Sequence, residues 1–561
     1  MMQKIFIKDF NVDNKGAKDS TLGFFEAIQR LKTLPKSIEK KLILEQGVYR
    51  ISKENSVQKV IHTSNLDSAL YPEKTFGLYF EDISNLTIEG NGAFLLFEGD
   101  MSALAFVNCQ NIIFKNLSWD FNRPTASEME VIAILQQGKV IDFKLPQNCD
   151  YIIDGRNIIW LSEKDSKGNY YWKEINAHDN YGIYVRYPEH KMVRQYFPKQ
   201  SPFEGLVSIE KLDDKIVRFR YLDKPRIEPK IGMIYQFVSN KKRPNPGALI
   251  YESKNITFDN IDIGYMHGFG LLVQMCEDVY FKSVKIESLR SDRTVSSYVD
   301  GIHVSGAKGE IVIDSCVFSN TLDDGVNVHG TYMRLVALQN DEIELEYVHH
   351  QQAGFPQYHI GDRVVFYNRK NLEPLFEGRS YQVIELENPT NERLKTAKIK
   401  LDTMPIFDQY DLNLSDIVCE NLTYNPKLKI LNSEFSYQST RCALVSSNQE
   451  VLIKANSFLR PSMSALFFSN DSNEWYESGR INDLTIEDNY FEIMDIGRTS
   501  WKDAPAIYFY PVTSEPDQVE AVFKNIKIQN NKFMMYADQV LIEHATENLL
   551  FVNNEFINMR D

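Results

Sequence analysis

Along most of the chain, apolar and polar residues alternate in short runs that start at Asn, Asp or Glu and close on another polar corner. Alternation with a period of two over four to eight residues predicts short β-strands with one buried face. Copies of this phrase recur at residues 85–88, 111–114, 255–258, 278–281, 310–313, 450–453, 483–486, 525–528 and 548–551. The pattern therefore predicts a repeating all-β protein.

The spacing of the copies indicates what the repeat builds. The copies at 255 and 278, and those at 525 and 548, lie 23 residues apart, whereas the intervals 278–310 and 450–483 are 32 and 33 residues. About 23 residues make one coil of a solenoid, and the longer intervals add loops to their coils. Asn at the corners, as in Asn530 and Asn531, suits tight turns with positive φ. We expect a right-handed parallel β-helix.

Two stretches interrupt the repeat, at 126–245 and 331–416, where strands at hairpin spacing replace strands at coil spacing. We expect two inserted small β-barrel or β-sandwich domains there. The rest divides into an N-terminal cap with the first coils (1–125), central coils that carry the candidate site (246–330), and C-terminal coils (417–561). In the cap, apolar residues at Phe24, Phe25, Ala27, Ile28 and Leu31 predict a short amphipathic helix over the open solenoid end.

Three carboxylates stand out in the central coils. The phrase Asp-Gly-apolar-x-Val starts at Asp300 and again at Asp324, 24 residues later, and Asp323 precedes the second copy. Stacked coils lie roughly 4.8 Å apart, so the three carboxylates should share one patch. Asp-Gly alone also suits a turn, but a turn does not require a cluster of mutually repelling acids. Clustered carboxylates of this kind are typical of glycosidic-bond hydrolysis, which makes all three candidate catalytic residues.

Aligned coils predict a column that contains two of these acids: Phe269, Asp300, Asp324, Arg441 and Ser464. Arg441 is therefore expected to neutralise the cluster. By strand parity His303, Asn327 and His329 should point outward, either to bind sugar hydroxyls or simply to meet solvent.

Two further candidates lie in the longer coils. Arg290 and Arg293 could clamp hydroxyls or pair with Asp292, and the sequence leaves both alternatives open. Trp475 suits a platform for a sugar ring or an anchor for its own loop.

Composition narrows the class of protein. A net charge of −15 argues against a nucleic-acid partner, while 34 Phe and 29 Tyr fit an all-β core. Six cysteines without a CxxC pair are expected to be small buried residues, and no short ligand spacing predicts a metal or a cofactor. No apolar run reaches the ~18 residues of a membrane span, and no signal peptide is visible.

The sequences YVDGIHV (298–304), LDDGVNVHG (322–330) and EWYESG (474–479) resemble glycoside hydrolase family 110, the bacterial exo-α-1,3-galactosidases. The order of strand, turn, helix and strand at the start also resembles pectinase-like β-helices. The resemblance implies an inverting, cofactor-free hydrolase that removes terminal α-galactose from carbohydrates, in some members from blood-group-B structures. It implies a periplasmic or secreted protein, and a homodimer is compatible with it. By resemblance, Asp323 is the general acid, and Asp300 and Asp324 hold the attacking water.

Other classes remain as alternatives. The Asp…Asp-Asp pattern is also similar to polygalacturonases, whose Gly-His-Gly and Arg-x-Lys motifs have no clear counterpart here. A non-catalytic glycan-binding β-helix and a polysaccharide lyase are two further alternatives. For the hydrolase we expect Asp323 to be protonated near neutral pH, because its two neighbours disfavour a further negative charge. Asp300, the preferred base, and Asp324 should stay ionised, with roughly 6.5–9.5 Å between acid and base carboxyls.

Overall fold

The computed structural model describes residues 2–176, 182–238, 243–494, 505–536 and 539–559. Thirty of the described strands join one continuous, almost entirely parallel sheet that coils into a β-helix. Its first coils contain β1 Gln3–Phe6, β2 Lys15–Asp19, β3 Lys40–Ile43, β4 Gly47–Ser52, β5 Val57–Val60, β6 Glu73–Glu81, β7 Ser84–Glu98, β8 Ser102–Val107 and β9 Gln110–Phe121. The central coils contain β20 Ala248–Tyr251, β21 Lys254–Ile263, β22 Leu271–Ile286, β23 Ile302–Asp314, β24 Val317–Ser319 and β25 Val326–Thr331.

The C-terminal coils complete this sheet. They contain β32 Lys427–Leu431, β33 Glu434–Ser436, β34 Ala443–Val445, β35 Glu450–Lys454, β36 Ser457–Leu459, β37 Leu466–Asp471, β38 Glu477–Ser478, β39 Asp483–Glu487, β40 Tyr490–Ile493, β41 Ile507–Val512, β42 Phe523–Gln529, β43 Lys532–Met535, β44 Leu541–Glu543, β45 Thr546–Val552 and β46 Glu555–Asn558. Short 3₁₀ helices lie at Ile7–Asp9, Lys53–Asn55, Gln136–Gly138, Pro198–Gln200, Leu375–Gly378, Phe407–Gln409, Leu414–Asp416 and Pro516–Gln518.

The repeat pairs as the sequence predicts. The phrases that begin at Asn255 and Asp278 form a parallel ladder, with Ile256 opposite Val279, and those at 525 and 548 do the same. Both corner residues have positive φ, 54° and 58°. Parallel pairing between successive coils is what defines a β-helix, so the predicted fold class is confirmed.

Side chains at equivalent positions stack from coil to coil. Asn111 Nδ2 donates to Asn85 Oδ1 at 2.7 Å, and Asn255 Nδ2 donates to Asn111 Oδ1 at 2.9 Å. Inside the helix, stacked phenylalanines have centroids 4.6–5.3 Å apart, in the order Phe318, Phe435, Phe458, Phe491 and Phe533. These ladders satisfy the polar corners and fill the core at the spacing of the strands.

The helix α1 Thr21–Lys32 is the predicted cap. It buries Phe24, Ala27, Ile28 and Leu31 against the first coils, while Phe25 stays exposed. The pattern therefore predicted the helix and most of its buried face, with Phe25 as the exception.

The first insertion is a layered antiparallel domain with its own core. Seven strands form an open sheet and three form a second sheet, and both sheets contribute to that core. The strands are β10 Ser127–Leu135, β11 Val140–Lys144, β12 Asp150–Asp154, β13 Asn157–Leu161, β14 Lys173–Ile175, β15 Ile183–Arg186, β16 Val193–Tyr196, β17 Leu206–Asp213, β18 Ile216–Tyr221 and β19 Ile234–Phe237. They lie within the interval 126–245 that the change of spacing indicated.

The second insertion is a closed six-stranded barrel with a separate core. Its strands are β26 Met333–Gln339, β27 Glu342–Glu346, β28 Arg363–Asn368, β29 Tyr381–Glu387, β30 Thr396–Leu401 and β31 Ile417–Asn421. The last strand lies beyond the expected end at residue 416. β31 closes the barrel by pairing with β26 and β28, and the parallel coils resume only at β32.

Two general features complete the fold. Along the described parts of the chain, no helix combines the length and the apolar character that crossing a bilayer would take. The six cysteines are unpaired, and all except Cys149 are buried.

Candidate active site

A cavity of about 420 Å³ lies between the two insertions and the central and C-terminal coils. Asp300, Asp323 and Asp324 line its floor, and its walls include Arg243 and Trp475. The volume falls in the usual range for small-molecule sites. The structure therefore brings the three predicted carboxylates together in a concave site.

The floor follows directly from the coil register. The ladder aligns Leu271, Ile302, Val326, Ala443 and Leu466 on successive coils. The residues two positions earlier are consequently aligned as well: Phe269, Asp300, Asp324, Arg441 and Ser464. This is the column that the sequence predicts.

Asp324 is held as the partner of Arg441. The arginine donates from Nε to Oδ1 at 2.7 Å and from Nη2 to Oδ2 at 2.9 Å, and Thr440 Oγ1 donates to Oδ1 at 2.8 Å. Burial raises the pKa of Asp324, while the Arg441 guanidinium opposes that rise. The two-pronged contact fixes the carboxylate plane and neutralises one charge of the cluster, as predicted for Arg441.

Asp300 lies deeper in the floor. Its Oδ2 is 2.7 Å from His303 Nδ1, and its Oδ1 accepts the Asp324 backbone N–H at 3.2 Å. Burial, followed by the charges of Asp323 and Asp324, raises the pKa of Asp300 well above its usual range. Burial and the neighbouring acids therefore work against the ionised Asp300 that is expected from the sequence. The sequence identified the repulsion between the acids but not which of them is most buried.

Asp323 is the most accessible of the three carboxylates. Its side chain is 26% exposed, against 4% for Asp300 and 2% for Asp324. Arg243 Nη2 forms an ion pair with its Oδ2 at 3.3 Å. Asp323 thus faces the cavity beside a positive charge.

Arg243 is a functional candidate that the sequence analysis missed. Its guanidinium lies 5.3 Å from the ring centroids of both Phe269 and Trp475. It comes from the end of the first insertion, 80 residues before Asp323. A basic run at 241–243 is its one signal in the sequence, and neither repeat nor strand parity connects that run to the acids.

The spacing of the carboxyls differs from expectation. One oxygen of each of the three carboxylates lies within 4.8 Å of an oxygen of the other two. These distances between nearest oxygens are shorter than the roughly 6.5–9.5 Å expected between acid and base carboxyls, so the spacing itself does not support the inversion that the family resemblance implies. The register brings the Asp300 and Asp324 side chains onto adjacent coils, and Asp323 turns toward them instead of to the opposite side.

His303 and Asn327 line the cavity, but the outer face on which they lie is covered. Both are buried, at 1% and 6% exposure. Among the described residues, Asn327 Oδ1 accepts no hydrogen bond. A sugar hydroxyl could donate to it, which suits its predicted role.

His329 does not line the cavity, contrary to the prediction that it binds substrate. The strand β38 pairs antiparallel with the end of β25, Gly330 opposite Ser478, and its loop covers the histidine. His329 Nε2 lies 2.8 Å from His303 Nε2 and 3.3 Å from Glu477 Oε1. It therefore supports His303 from below.

Arg293 also lies outside the cavity. Its Nη2 donates to Asp120 Oδ1 and Oδ2 at 2.8 and 2.9 Å and to the Gly264 carbonyl at 3.0 Å. Arg290, in contrast, pairs with Asp292, which was one of the open alternatives. Arg293 is fully enclosed by the coils that it joins, so the prediction that it binds substrate is wrong.

Trp475 lies in the wall, as the platform prediction requires, on the loop between β37 and β38. Asp471 holds this loop: its carboxylate accepts the backbone N–H groups of Asn473, Glu474 and Trp475 at 2.8–2.9 Å. Burial raises the pKa of Asp471 to about 7. Asp471 is a second residue that the sequence analysis missed, because its role depends on the loop conformation.

Asp67 links the walls to one another. It accepts the backbone N–H of Arg243 at 3.1 Å and the side-chain amide of Gln351 at 3.2 Å. Asn65 in turn donates to Glu477 Oε1 at 2.8 Å. One N-terminal loop therefore connects both insertions and the Trp475 loop around the cavity.

Two groups of side chains lie close enough together to be considered as metal ligands: His303 with His329 and Glu477, and the three aspartates of the floor. Neither group is arranged for a metal ion. The His303 and His329 nitrogens contact each other directly, closer than the ~3.3 Å between two ligands of a tetrahedral zinc ion. Asp323 and Asp324 already face arginines, which supply the positive charge. We assign no metal to either group.

Comparison with known proteins defines the family. No protein-family model matches the sequence. Among curated relatives, "Alpha-1,3-galactosidase A" of Bacteroides fragilis is 31% identical over 532 residues, covering 92% of this chain and 82% of the relative. "Alpha-1,3-galactosidase B" of Phocaeicola vulgatus is 26% identical, covering 98% and 92%. The fold and cavity define a parallel β-helix protein with a carboxylate-lined site. The chain belongs to the α-1,3-galactosidase family.

Solved structures with a similar fold are distant. The exopolygalacturonase of Thermotoga maritima is 8% identical with a TM-score of 0.41, covering 99% of this chain and 91% of that one. The A-module of a mannuronan C-5 epimerase from Azotobacter vinelandii has a TM-score of 0.40 at 9% identity, covering 98% and 95%. These scores are too low to carry an argument.

Proposed function

We propose that this protein is an exo-acting, inverting glycoside hydrolase of family 110 that releases terminal α-1,3-linked galactose, blood-group-B-type glycans being among its substrates. The observation that carries the proposal is the convergence of Asp300, Asp323 and Asp324 on the floor of a walled cavity. Membership of the α-1,3-galactosidase family supports the choice of sugar and linkage.

Exposure separates the roles of the three carboxyls. Asp323, the most accessible, is the general acid that reaches the glycosidic oxygen. Asp300 accepts the proton of the attacking water, and Asp324, fixed by Arg441, orients that water and balances developing positive charge on the sugar ring. Asn327 and Trp475 bind the galactose, while both ring nitrogens of His303 are already hydrogen-bonded to Asp300 and His329, and no cofactor takes part.

One shared proton can serve the whole cycle. In the free protein the raised pKa of Asp300 favours its protonated form, while Asp323 pairs with Arg243. A sugar that covers Asp323 excludes water and disfavours its charge, so the proton moves from Asp300 to Asp323. Asp323 then protonates the leaving oxygen as Asp300 takes a proton from water. The free-protein state is thereby restored.

The walls support exo action. Loops from both insertions and from the N-terminal coils meet around the cavity through Asp67. A terminal sugar fits such a site more readily than the middle of a polymer. We also propose, from the family resemblance, that the protein works in the periplasm or after secretion, which cell fractionation would test.

A substrate panel tests the function. Disaccharides with terminal α-1,3-, α-1,4- and α-1,6-linked galactose, and a fucosylated blood-group-B trisaccharide, are incubated with the protein while proton NMR follows the first anomer released. We expect galactose from the α-1,3 compounds, with the β-anomer appearing first. An α-anomer would overturn inversion, and mid-chain fragments from polygalacturonate would overturn exo action.

Leaving-group dependence tests the acid. Asp323→Asn should reduce hydrolysis of the disaccharide far more than that of an activated aryl galactoside, which needs little protonation. Asp223→Asn is a matched control, because that side chain is 91% exposed on the first insertion. Equal losses on both substrates would contradict the assignment of Asp323.

A further inference from the structure

A buried chain of hydrogen bonds starts at Asp300 and leads away from the cavity. Asp300 Oδ2 lies 2.7 Å from His303 Nδ1, and His303 Nε2 lies 2.8 Å from His329 Nε2. His329 Nδ1 lies 2.6 Å from the Gly330 carbonyl oxygen. The side chains of both histidines are at most 1% exposed. The hydrogen bonds of the chain therefore run directly from group to group, without a bridging water molecule.

The hydrogen-bond partner at the far end of the chain determines which nitrogen atoms carry protons. A carbonyl oxygen can only accept, so His329 Nδ1 carries a proton. Two imidazole nitrogens in contact need one proton between them. If both rings are neutral, that proton belongs to His303 Nε2. His303 Nδ1 is then a bare acceptor, and the short contact with Asp300 requires a proton on the carboxyl.

We propose that His303 and His329 are positioning residues that hold Asp300 as a carboxylic acid in the free protein and so store the proton used in catalysis. The catalytic part of this statement rests on the proposed function; the protonation of Asp300 does not. Each of the three hydrogen bonds then has one donor and one acceptor, and the chain carries no net charge.

When Asp300 loses its stored proton, the donors and acceptors along the chain no longer match. With Asp300 ionised and one proton per ring, lone pairs face each other either between the two histidines or between His303 and Asp300. Both arrangements cost a hydrogen bond in a buried site. Asp300 therefore becomes a stronger base once its proton has moved to Asp323, and it takes a proton from the attacking water.

A second arrangement has the same number of protons. The Asp300 proton moves to His303 Nδ1 while the His303 Nε2 proton moves to His329 Nε2. Asp300 is then a carboxylate and His329 an imidazolium, 3.3 Å from Glu477. Glu477 thus decides how easily the chain rearranges.

The charged surroundings favour the neutral arrangement. Asp300 faces Asp323 and Asp324 from the next coil and Glu477 from β38, all of which disfavour its charge, while Arg243 favours it. Arg441 is already committed to Asp324. Burial, His329 and Arg243 all lower the pKa of His303 well below its usual range, so that ring stays neutral.

Infrared spectroscopy of the free protein tests the stored proton without any substrate. Near neutral pH the wild type should show a protonated-carboxyl band that Asp300→Asn lacks. Glu163, Glu420 and Asp471, whose pKa values burial raises to about 7, contribute equally to both spectra and cancel in the difference. Identical spectra would overturn the proposal, whether or not the protein hydrolyses galactosides.

The pH dependence of kcat/KM tests the histidines, because it reports on ionisation of the free enzyme. In His329→Leu, His303 can turn its proton to Nδ1 and donate to an Asp300 carboxylate. The alkaline limb should therefore move down by about one pH unit. In His329→Gln, the side-chain oxygen can again accept from His303 Nε2, and the limb should return toward that of the wild type.

Two outcomes would contradict the role of the histidines. One is a uniform loss of activity in His329→Leu with the limb unmoved; the other is a limb that moves to higher pH. If His329→Leu does not fold, the proposal is tested by His329→Gln and by the infrared difference between the wild type and Asp300→Asn. A limb in His329→Gln displaced by a full unit, or an absent Asp300 band, would then overturn the proposal.

Discussion

The floor and the walls of the cavity are held by different means. Successive coils build the floor, so Asp300, Asp324 and Arg441 follow from one register, and the two carboxylates are nearly inaccessible to water. The walls come from loops far apart in the chain, joined through side chains such as Asp67. The floor is therefore expected to tolerate little change, whereas the walls can vary and adjust the substrate that the site accepts.

Each part supplies one arginine to the carboxylates, which allows a direct comparison. On the floor, Arg441 holds buried Asp324 with two parallel hydrogen bonds. In the wall, Arg243 Nη2 lies 3.3 Å from Oδ2 of the partly exposed Asp323, a longer ion pair than that of Arg441. Burial makes an unpaired charge costly, so the same mutation should have unequal effects in the two places.

The largest effect is expected for Arg441→Met. Removing one partner of a buried ion pair costs about 3–5 kcal/mol of folding free energy, because the other charge is left uncompensated. Asp324 should take up a proton instead, and kcat/KM should fall on the order of 10³-fold. Urea unfolding and kinetics on an α-1,3-galactoside measure the two effects.

Arg293→Met is the matched control for Arg441→Met. Arg293 and Asp120 also form a buried pair, with side chains 2% and 4% exposed against 18% and 2% for Arg441 and Asp324, but they lie outside the cavity. A similar loss of stability is expected, with near-normal kcat/KM in the folded fraction. Equal kinetic losses in the two variants would mean that Arg441 contributes only to folding.

Arg243→Met should have a smaller effect on stability. Loss of the ion pair with Asp323 should cost less than about 1 kcal/mol, because water screens the partly exposed Asp323. Activity should still fall roughly 10–100-fold, since the site loses a positive charge beside the general acid. Separate kcat and KM values check this, with Arg243→Lys retaining the charge. A stability loss as large as that of Arg441→Met would remove the distinction between floor and wall.

The same distinction explains how much could be predicted from the sequence. The floor repeats, so the spacing of Asp300 and Asp324 and the parity of their strands predicted the column, including Arg441 at a distance of 117 residues. Arg243 and Asp67 belong to no repeat. Their positions depend on loops whose contacts form only in the folded chain.

Burial was the other property that could not be predicted from the sequence. Strand parity correctly gave His303 and His329 the same face, but β38 covers His329 and removes it from the cavity. Repulsion among the acids was also predicted, but which carboxyl has its pKa raised depends on how deeply each one is buried. Burial raises the pKa of Asp300 for that reason, and it also raises that of Asp324.

Trp475→Ala tests the wall as a binding surface. Loss of an aromatic platform should raise KM roughly tenfold, about 1–1.5 kcal/mol, and change kcat much less. Trp475→Phe should recover part of the affinity. A fall in kcat at constant KM would instead indicate that the indole acts by orienting Arg243, which it contacts.

The smallest effect concerns the attachment of the barrel to the coils. His359 of the second insertion lies 3.2 Å from Glu252 at the end of β20 and 3.7 Å from Asp362. Asp362 and then Glu252 raise the pKa of His359 to about 9. Because the folded-state pKa exceeds the ordinary 6.5, this stabilisation is complete below about pH 6.5 and is lost as the pH rises through 9.

His359→Gln provides the comparison. Thermal unfolding midpoints of both proteins are measured from pH 6 to pH 10, so that groups titrating in both cancel. The wild type should be the more stable below pH 6.5, by a small margin because His359 is about one-third exposed. The margin should disappear as the pH rises through 9. A margin independent of pH would show that His359 acts through packing on Tyr424, whose ring lies 5.3 Å away, and not through its charge.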